Sequence, residues 1–124
     1  MWDLIHLALT LKANTPRGKK DRKWIWAESP VLIRQRLETF LKYYPEVQEK
    51  YTEQDVIDAY DRYLKDTTNP DGSISSFRRL LKYFIFKKED ELTSDLINYL
   101  DLKDELDENT VTSSGNASWN DLLI

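Results

Sequence analysis

A short segment near the start of the chain combines cations with tryptophans. Between residues 17 and 26 lie five cations and two tryptophans: Arg17, Lys19, Lys20, Arg22, Lys23, Trp24 and Trp26. Cations contact phosphates and aromatic faces stack on bases, which is the chemistry that binding of single-stranded nucleic acid requires. Residues two apart share a face only in an extended chain, so the two tryptophans act together only if this segment is extended.

The same segment also fits a solvated loop whose two tryptophans anchor it to the core. The sequence favours this second interpretation, because a pI of about 5.0 is far from the basic footprint of a dedicated nucleic-acid-binding protein. Nucleic-acid binding through segment 17–26 is therefore the alternative. Arg78, Arg79, Lys82, Lys87 and Lys88 would extend it if their helix lies nearby.

The end of the chain carries a second candidate site. A polar linker over residues 107–118, too polar to bury the area that would offset its ordering entropy, precedes a cluster of large apolar residues. We expect the linker to be flexible and the cluster to dock into a pocket of a protein partner, with basic residues at the rim. Packing on its own domain is the alternative. The predicted partner-binding residues are Ser118, Trp119, Asp121, Leu122, Leu123 and Ile124.

Residues 118–123, which read Ser-Trp-Asn-Asp-Leu-Leu, resemble the C-terminal sliding-clamp-binding tail of T-even-type phage replication and late-transcription proteins. Ser118, Trp119, Leu122 and Leu123 match the hydroxyl and hydrophobic positions of that tail. Asn120 and Asp121 depart from it, because the acid and the second aromatic residue are not where the pattern puts them. The resemblance covers six residues, and no motif in residues 1–108 matches. It implies a small helical late-transcription coactivator that bridges RNA polymerase and a sliding clamp.

Composition narrows the class of protein. The chain has 124 residues, a net charge of −4, no Cys and one His. The absence of Cys excludes disulfides, thiolate metal sites and thiol nucleophiles. No apolar run is long enough to span a membrane, and we expect a cytoplasmic protein, in the host cytoplasm if it is viral. The charge is uneven: residues 1–88 hold 17 basic and 12 acidic side chains, and residues 89–124 hold one and ten. A mildly basic body therefore carries an acidic end.

Catalytic and metal-binding patterns are weak. His6 falls within an apolar helical segment and is expected to be a half-buried packing residue. Glu53, Asp58 and Asp61 form the polar face that any amphipathic helix has, and residues 66–72 lack the spacing of a calcium loop. We expect a non-enzymatic protein without metal or cofactor.

Helical spacing of apolar residues predicts five helices that hold these segments. The first covers Asp3–Ala13 and is expected to be buried on most sides. The second begins at Ser29-Pro30 and ends before Pro45, and the third begins at Thr52, where Asp55 completes a capping box.

The last two predicted helices are shorter. The fourth begins at Ser75 or Ser76, with Phe77, Leu80, Leu81, Phe84 and Ile85 in helical register, and the fifth begins at Thr93 or Ser94. The prediction is an all-α bundle over residues 1–106, a linker over 107–118 and a docking peptide over 119–124. The favoured function is a phage-type adaptor that engages RNA polymerase or a sliding clamp. A nucleic-acid-binding module and an inhibitor of a host nucleic-acid enzyme are the alternatives.

Overall fold

The computed structural model describes residues 1–20, 22–87 and 94–102. These residues form six helices and one two-stranded antiparallel sheet. The elements are α1 (Leu4–Ala13), β1 (Gly18–Lys20), β2 (Lys23–Ile25), α2 (Pro30–Tyr43), α3 (Val47–Lys50), α4 (Glu53–Asp66), α5 (Leu81–Ile85) and α6 (95–102). The predicted mainly helical fold is confirmed, while α3 and the hairpin were not predicted. The predicted linker and docking peptide lie outside the described residues.

The predicted caps of α2, α4 and α6 are present, whereas the predicted cap at Ser75 or Ser76 is not, because α5 follows Leu80 without a side-chain cap. The Ser29 hydroxyl accepts a hydrogen bond from Leu32 N, and Pro30 occupies the first turn of α2. At the start of α4, Thr52 Oγ1 accepts from Asp55 N, while the Asp55 carboxylate accepts from Thr52 N, which is a complete capping box. Ser94 Oγ accepts from Ile97 N at the start of α6.

One hydrophobic core joins the helices. α1 packs against α2 and α4, and α5 packs against α2. Aromatic rings from α4, α5 and α6 meet inside it: the ring centroid of Phe84 lies 4.6 Å from that of Tyr63 and 5.2 Å from that of Tyr60, and Tyr99 packs edge-on against Tyr63 at 5.7 Å. Such tilted and edge-on pairs stabilise a core beyond their buried area.

The first helix is less buried than its composition predicts. Leu7, Ala8 and Leu11 are buried, but Ile5 and Leu9 are half exposed or more, and His6 is exposed beside Glu53. The expectations that α1 is buried on most sides and that His6 is half-buried are both wrong. The physical reason is that α2 and α4 cover only one side of the helix.

The predicted start of the fourth helix is also wrong. Residues 74–80 are not helical, and we call them the strap; α5 begins only at Leu81. Within the strap, Arg78 is buried, whereas Phe77 is 84% exposed, so neither follows the predicted helix face. The Arg78 guanidinium donates to Leu64 O at 2.9 Å and to Thr67 Oγ1 at 2.9 Å, so it binds the carboxyl end of α4. The hydrogen bonds of Arg78 to α4 hold the strap in a non-helical conformation, although the spacing of its apolar residues is typical of a helix.

Candidate nucleic-acid interface

The segment with the cations and tryptophans folds as a β-hairpin. β1 pairs with β2 so that Lys19 lies opposite Trp24, with Gly18 opposite Ile25 and Lys20 opposite Lys23 on either side. Directly opposed residues point to the same face of a sheet, and the face alternates along each strand. The face of Lys19 and Trp24 is therefore distinct from the face of Gly18, Lys20, Lys23 and Ile25.

The first of these faces points to solvent, and we call it the outward face. Trp24 is 66% exposed and Trp26 is 45% exposed. Lys19 Nζ lies 5.4 Å from the centroid of the Trp24 ring, and Arg17 Cζ lies 4.9 Å from that of Trp26. The segment is extended through β2, as a shared face of the two tryptophans requires, and Trp26 directly follows that strand. Each exposed ring has a cation beside it.

The favoured interpretation, in which both tryptophans anchor the segment to the core, is wrong. Trp26 is oriented by a 3.1 Å hydrogen bond from Nε1 to Thr15 O and by Lys12, whose Nζ lies 4.5 Å from the ring centroid. It nevertheless stays exposed, and Trp24 is more exposed still.

The opposite face of the hairpin makes the anchor instead. A Cβ on Gly18 would lie 2.6 Å from Ile74 Cδ1, so the strand packs closely on the strap here and a larger residue would require the Ile74 side chain to move. Lys20 Nζ donates a hydrogen bond to the backbone oxygen of Arg78. The hairpin therefore packs on the strap through Gly18 and Lys20, and the tryptophans lie on the opposite side of the hairpin.

A groove of about 530 Å³ runs between the hairpin, the strap and α5. Its lining combines apolar and cationic residues with one serine: Lys20, Ile25, Ser76, Phe77, Arg78, Arg79, Leu80, Tyr83 and Lys87. The structure thus brings Arg79 and Lys87 to the side of the hairpin. The carboxylate of Asp95 lies 3.3 Å from Arg79 Nε. Burial raises the pKa of Asp95, and the positive charges of Arg79 and Lys87 oppose that rise.

The other cations of the predicted site are placed differently. Arg22, which has a φ of 70°, lies in the turn between the strands, and the exposed Lys23 is on the face opposite the tryptophans. Arg78 does not extend the surface as predicted, because its guanidinium points into the protein; its pKa is lowered by burial. Lys88 lies outside the described residues.

The residues that the sequence does not single out for binding include Lys12, which lies beside Trp26, and Phe77, Leu80 and Tyr83, which line the groove. Lys12 belongs to α1, and the sequence predicts Phe77 and Leu80 on the apolar face of a helix. Only the contacts between the hairpin and the rest of the chain bring them to the site, and no local spacing signals such contacts.

Other chemistry is sparse in the described part of the chain. Among residues 1–20, 22–87 and 94–102, no three acidic or His side chains group as a metal would require. His6 Nδ1 lies 3.7 Å from Glu53 Oε1 at the surface. None of the described helices has the length and apolar content that crossing a bilayer demands. The predicted partner-binding residues 118–124 lie outside the described residues.

Comparison with protein-family models, curated proteins and solved structures finds no match to this chain.

Proposed function

We propose that this chain binds nucleic acid through the outward face of the hairpin. The observation that supports it best is the pair of exposed tryptophans, one in β2 and one directly after it, each with a cation within 5.5 Å of its ring centroid. Exposed apolar surface on a folded protein commonly marks a contact site. Aromatic faces interleaved with cations suit a ligand that carries both flat bases and phosphates.

The spacing of the two rings suits successive bases. Residues two apart on a strand are separated by about 6.6 Å, so Trp24 and Trp26 can each take a base without competing for space. A base can displace the cation beside each ring, because a cation–aromatic pair at an exposed site contributes only about 0.5–1 kcal/mol. Base stacking is worth about 1–3 kcal/mol per base. The displaced Arg17 and Lys19 then remain close enough to contact phosphates.

The test is a fluorescence-anisotropy titration of a labelled oligothymidylate of about 20 nucleotides at low salt. Trp24→Ala should weaken binding by about 5- to 150-fold, the equivalent of one lost stacked base. Ile5→Ala is the matched control, because it removes a comparably exposed apolar side chain from α1, and it should leave affinity unchanged.

Two results would contradict the proposal. One is the absence of binding by the unmodified protein at low salt. The other is an equal affinity for Trp24→Ala and Ile5→Ala. Binding whose affinity does not change with salt would also contradict the proposal, because contacts to phosphates release counterions and therefore weaken as salt is added.

The adaptor function stays a prediction. It depends on residues 118–124, and RNA polymerase or a sliding clamp as partner follows only from the resemblance of that peptide. Inhibition of a host nucleic-acid enzyme also stays a prediction.

A further inference from the structure

The groove beside the hairpin adjoins a second cavity, and Lys87 lines both. The second cavity, which we call the α2–α5 pocket, has a volume of about 320 Å³. Its lining is Leu32, Gln35, Arg36, Thr39, Lys82, Phe86 and Lys87. The groove, which has aromatic and aliphatic residues in its lining, therefore lies beside a pocket with three cations.

The groove presents an aromatic ring on a fixed backbone. Phe77 is 84% exposed, yet its amide donates to Ser75 Oγ at 3.1 Å, and the next residue is the buried Arg78. The exposure of Phe77 is therefore not the result of a loosely attached strap. Tyr83 lines the same groove, so two aromatic side chains border one apolar space.

The α2–α5 pocket is suited to an anion. Arg36 Nη1 donates to Phe86 O at 2.6 Å, which places the guanidinium at the end of α5. Arg36 Cζ and Lys82 Nζ lie 5.7 and 5.0 Å from the centroid of the Tyr83 ring. No carboxylate is among the described residues that line this pocket, although the Glu28 carboxylate accepts a hydrogen bond from the backbone N of Lys82 nearby.

We propose that the groove and the α2–α5 pocket together bind one unpaired nucleotide, with its base against Phe77 and its phosphate near Lys82, Lys87 and Arg36. This inference rests on the proposed nucleic-acid function and names its ligand class as single-stranded. In a duplex the bases are stacked on each other, and extracting one costs a few kcal/mol. An unpaired base is free to stack on an exposed aromatic ring.

The groove cations favour this ligand over an apolar peptide. Four cationic residues border the groove, Lys20, Arg78, Arg79 and Lys87, and among the described residues only Asp95 forms an ion pair with one of them, Arg79. A purely apolar partner would leave these cations with only the Asp95 carboxylate as a negative charge, whereas a phosphate backbone supplies further negative charge.

The experiment compares affinities for a labelled single-stranded oligothymidylate and for a duplex of the same length. Phe77→Ala should weaken single-strand binding by about 5- to 150-fold and leave duplex binding unchanged. Val31→Ala is the matched control, because it truncates an exposed apolar residue that lines neither cavity, and it should have no effect on either ligand. Circular dichroism confirms that each variant is folded.

The phosphate contact is tested by the salt dependence of single-strand binding. Lys87→Gln should reduce the slope of log affinity against log salt by about 0.7, the value of one lost phosphate contact to a single strand. Lys65→Gln, which removes an exposed cation of α4, should leave the slope unchanged.

The outcomes separate the two proposals. If Trp24→Ala weakens single-strand binding while Phe77→Ala matches Val31→Ala, the nucleotide site is wrong and the hairpin interface stands. If Phe77→Ala weakens duplex and single-strand binding equally, the ligand is not an unpaired base. If the unmodified protein binds neither ligand, both proposals fail.

Discussion

Arg78→Met removes the buried cation that ties the strap to the end of α4. The guanidinium makes four hydrogen bonds, of 2.8 to 3.2 Å, to Leu64 O, Thr67 O and the hydroxyls of Thr67 and Thr68. Methionine has a similar length and fills irregular space, so the substitution removes the hydrogen bonds with little loss of volume.

The expected loss in the free energy of unfolding is about 3 kcal/mol. Hydrogen bonds to a charged group contribute about 1.5–3 kcal/mol each, but two facts keep the sum lower. Each acceptor keeps a second partner: Leu64 O still accepts from Thr68 Oγ1, Thr67 O still accepts from Ser75 N, and both threonine hydroxyls still donate to α4 carbonyls. Removing the guanidinium also removes the cost of burying it, which is the cost that lowers its pKa.

Urea and thermal unfolding followed by circular dichroism measure this change, and the melting temperature should fall by about 10 °C. Arg79→Met is the matched control, because Arg79 is partly exposed and its ion pair with Asp95 contributes at most about 1 kcal/mol. A loss below about 1 kcal/mol for Arg78→Met, or equal losses for the two variants, would refute the assigned role of Arg78.

The remaining predictions concern a cap, an ionisation and the terminal peptide. Thr52→Ala removes the α4 cap and should cost about 1 kcal/mol in urea unfolding. Burial raises the pKa of Tyr60 from 10.0 to about 12. Because the unfolded chain ionises Tyr60 first, the stability that its neutral hydroxyl contributes is fully present below pH 10. The free energy of unfolding should then fall by about 3 kcal/mol between pH 10 and 12, and Tyr60→Phe should remove this part of the pH dependence. If the terminal peptide docks on a sliding clamp, as its resemblance implies, deleting residues 119–124 should abolish capture of a T-even-type clamp, whereas a loss of helical signal would instead indicate self-packing.

Helix starts could be predicted from the sequence because capping is local. Ser29 and Pro30, and Thr52 with Asp55, satisfy backbone groups within three residues of themselves. No distant contact is needed to decide where α2 and α4 begin.

The strap could not be predicted, because its structure depends on a distant partner. The spacing of Phe77, Leu80 and Leu81 is typical of a helix face, but the guanidinium of Arg78 reaches a carbonyl 14 residues earlier in the chain. Nothing in the local pattern shows that a cation will be buried there. The sequence does not predict the groove for the same reason, because Phe77 in a helix of that spacing would face the core.

The exposure of the two tryptophans also depends on contacts that the local sequence does not show. Large aromatic side chains are usually well buried, so anchoring was the natural expectation for Trp24 and Trp26. The hairpin face that meets the protein is instead formed by Gly18, Lys20 and Ile25, and Gly18 lies close to the Ile74 side chain. Alternation along the strand then places both tryptophans on the other face.

The acidic pI was the main argument against nucleic-acid binding, and the structure weakens it. Attraction of a charged ligand depends on the local arrangement of charges and not on their total. In the described structure the cationic residues that line the groove and the α2–α5 pocket are Lys20, Arg36, Arg78, Arg79, Lys82 and Lys87. The acidic side chains of α4, such as Asp58 and Asp61, are exposed and line neither cavity. A chain with a net charge of −4 can therefore present a cationic surface to a phosphate backbone.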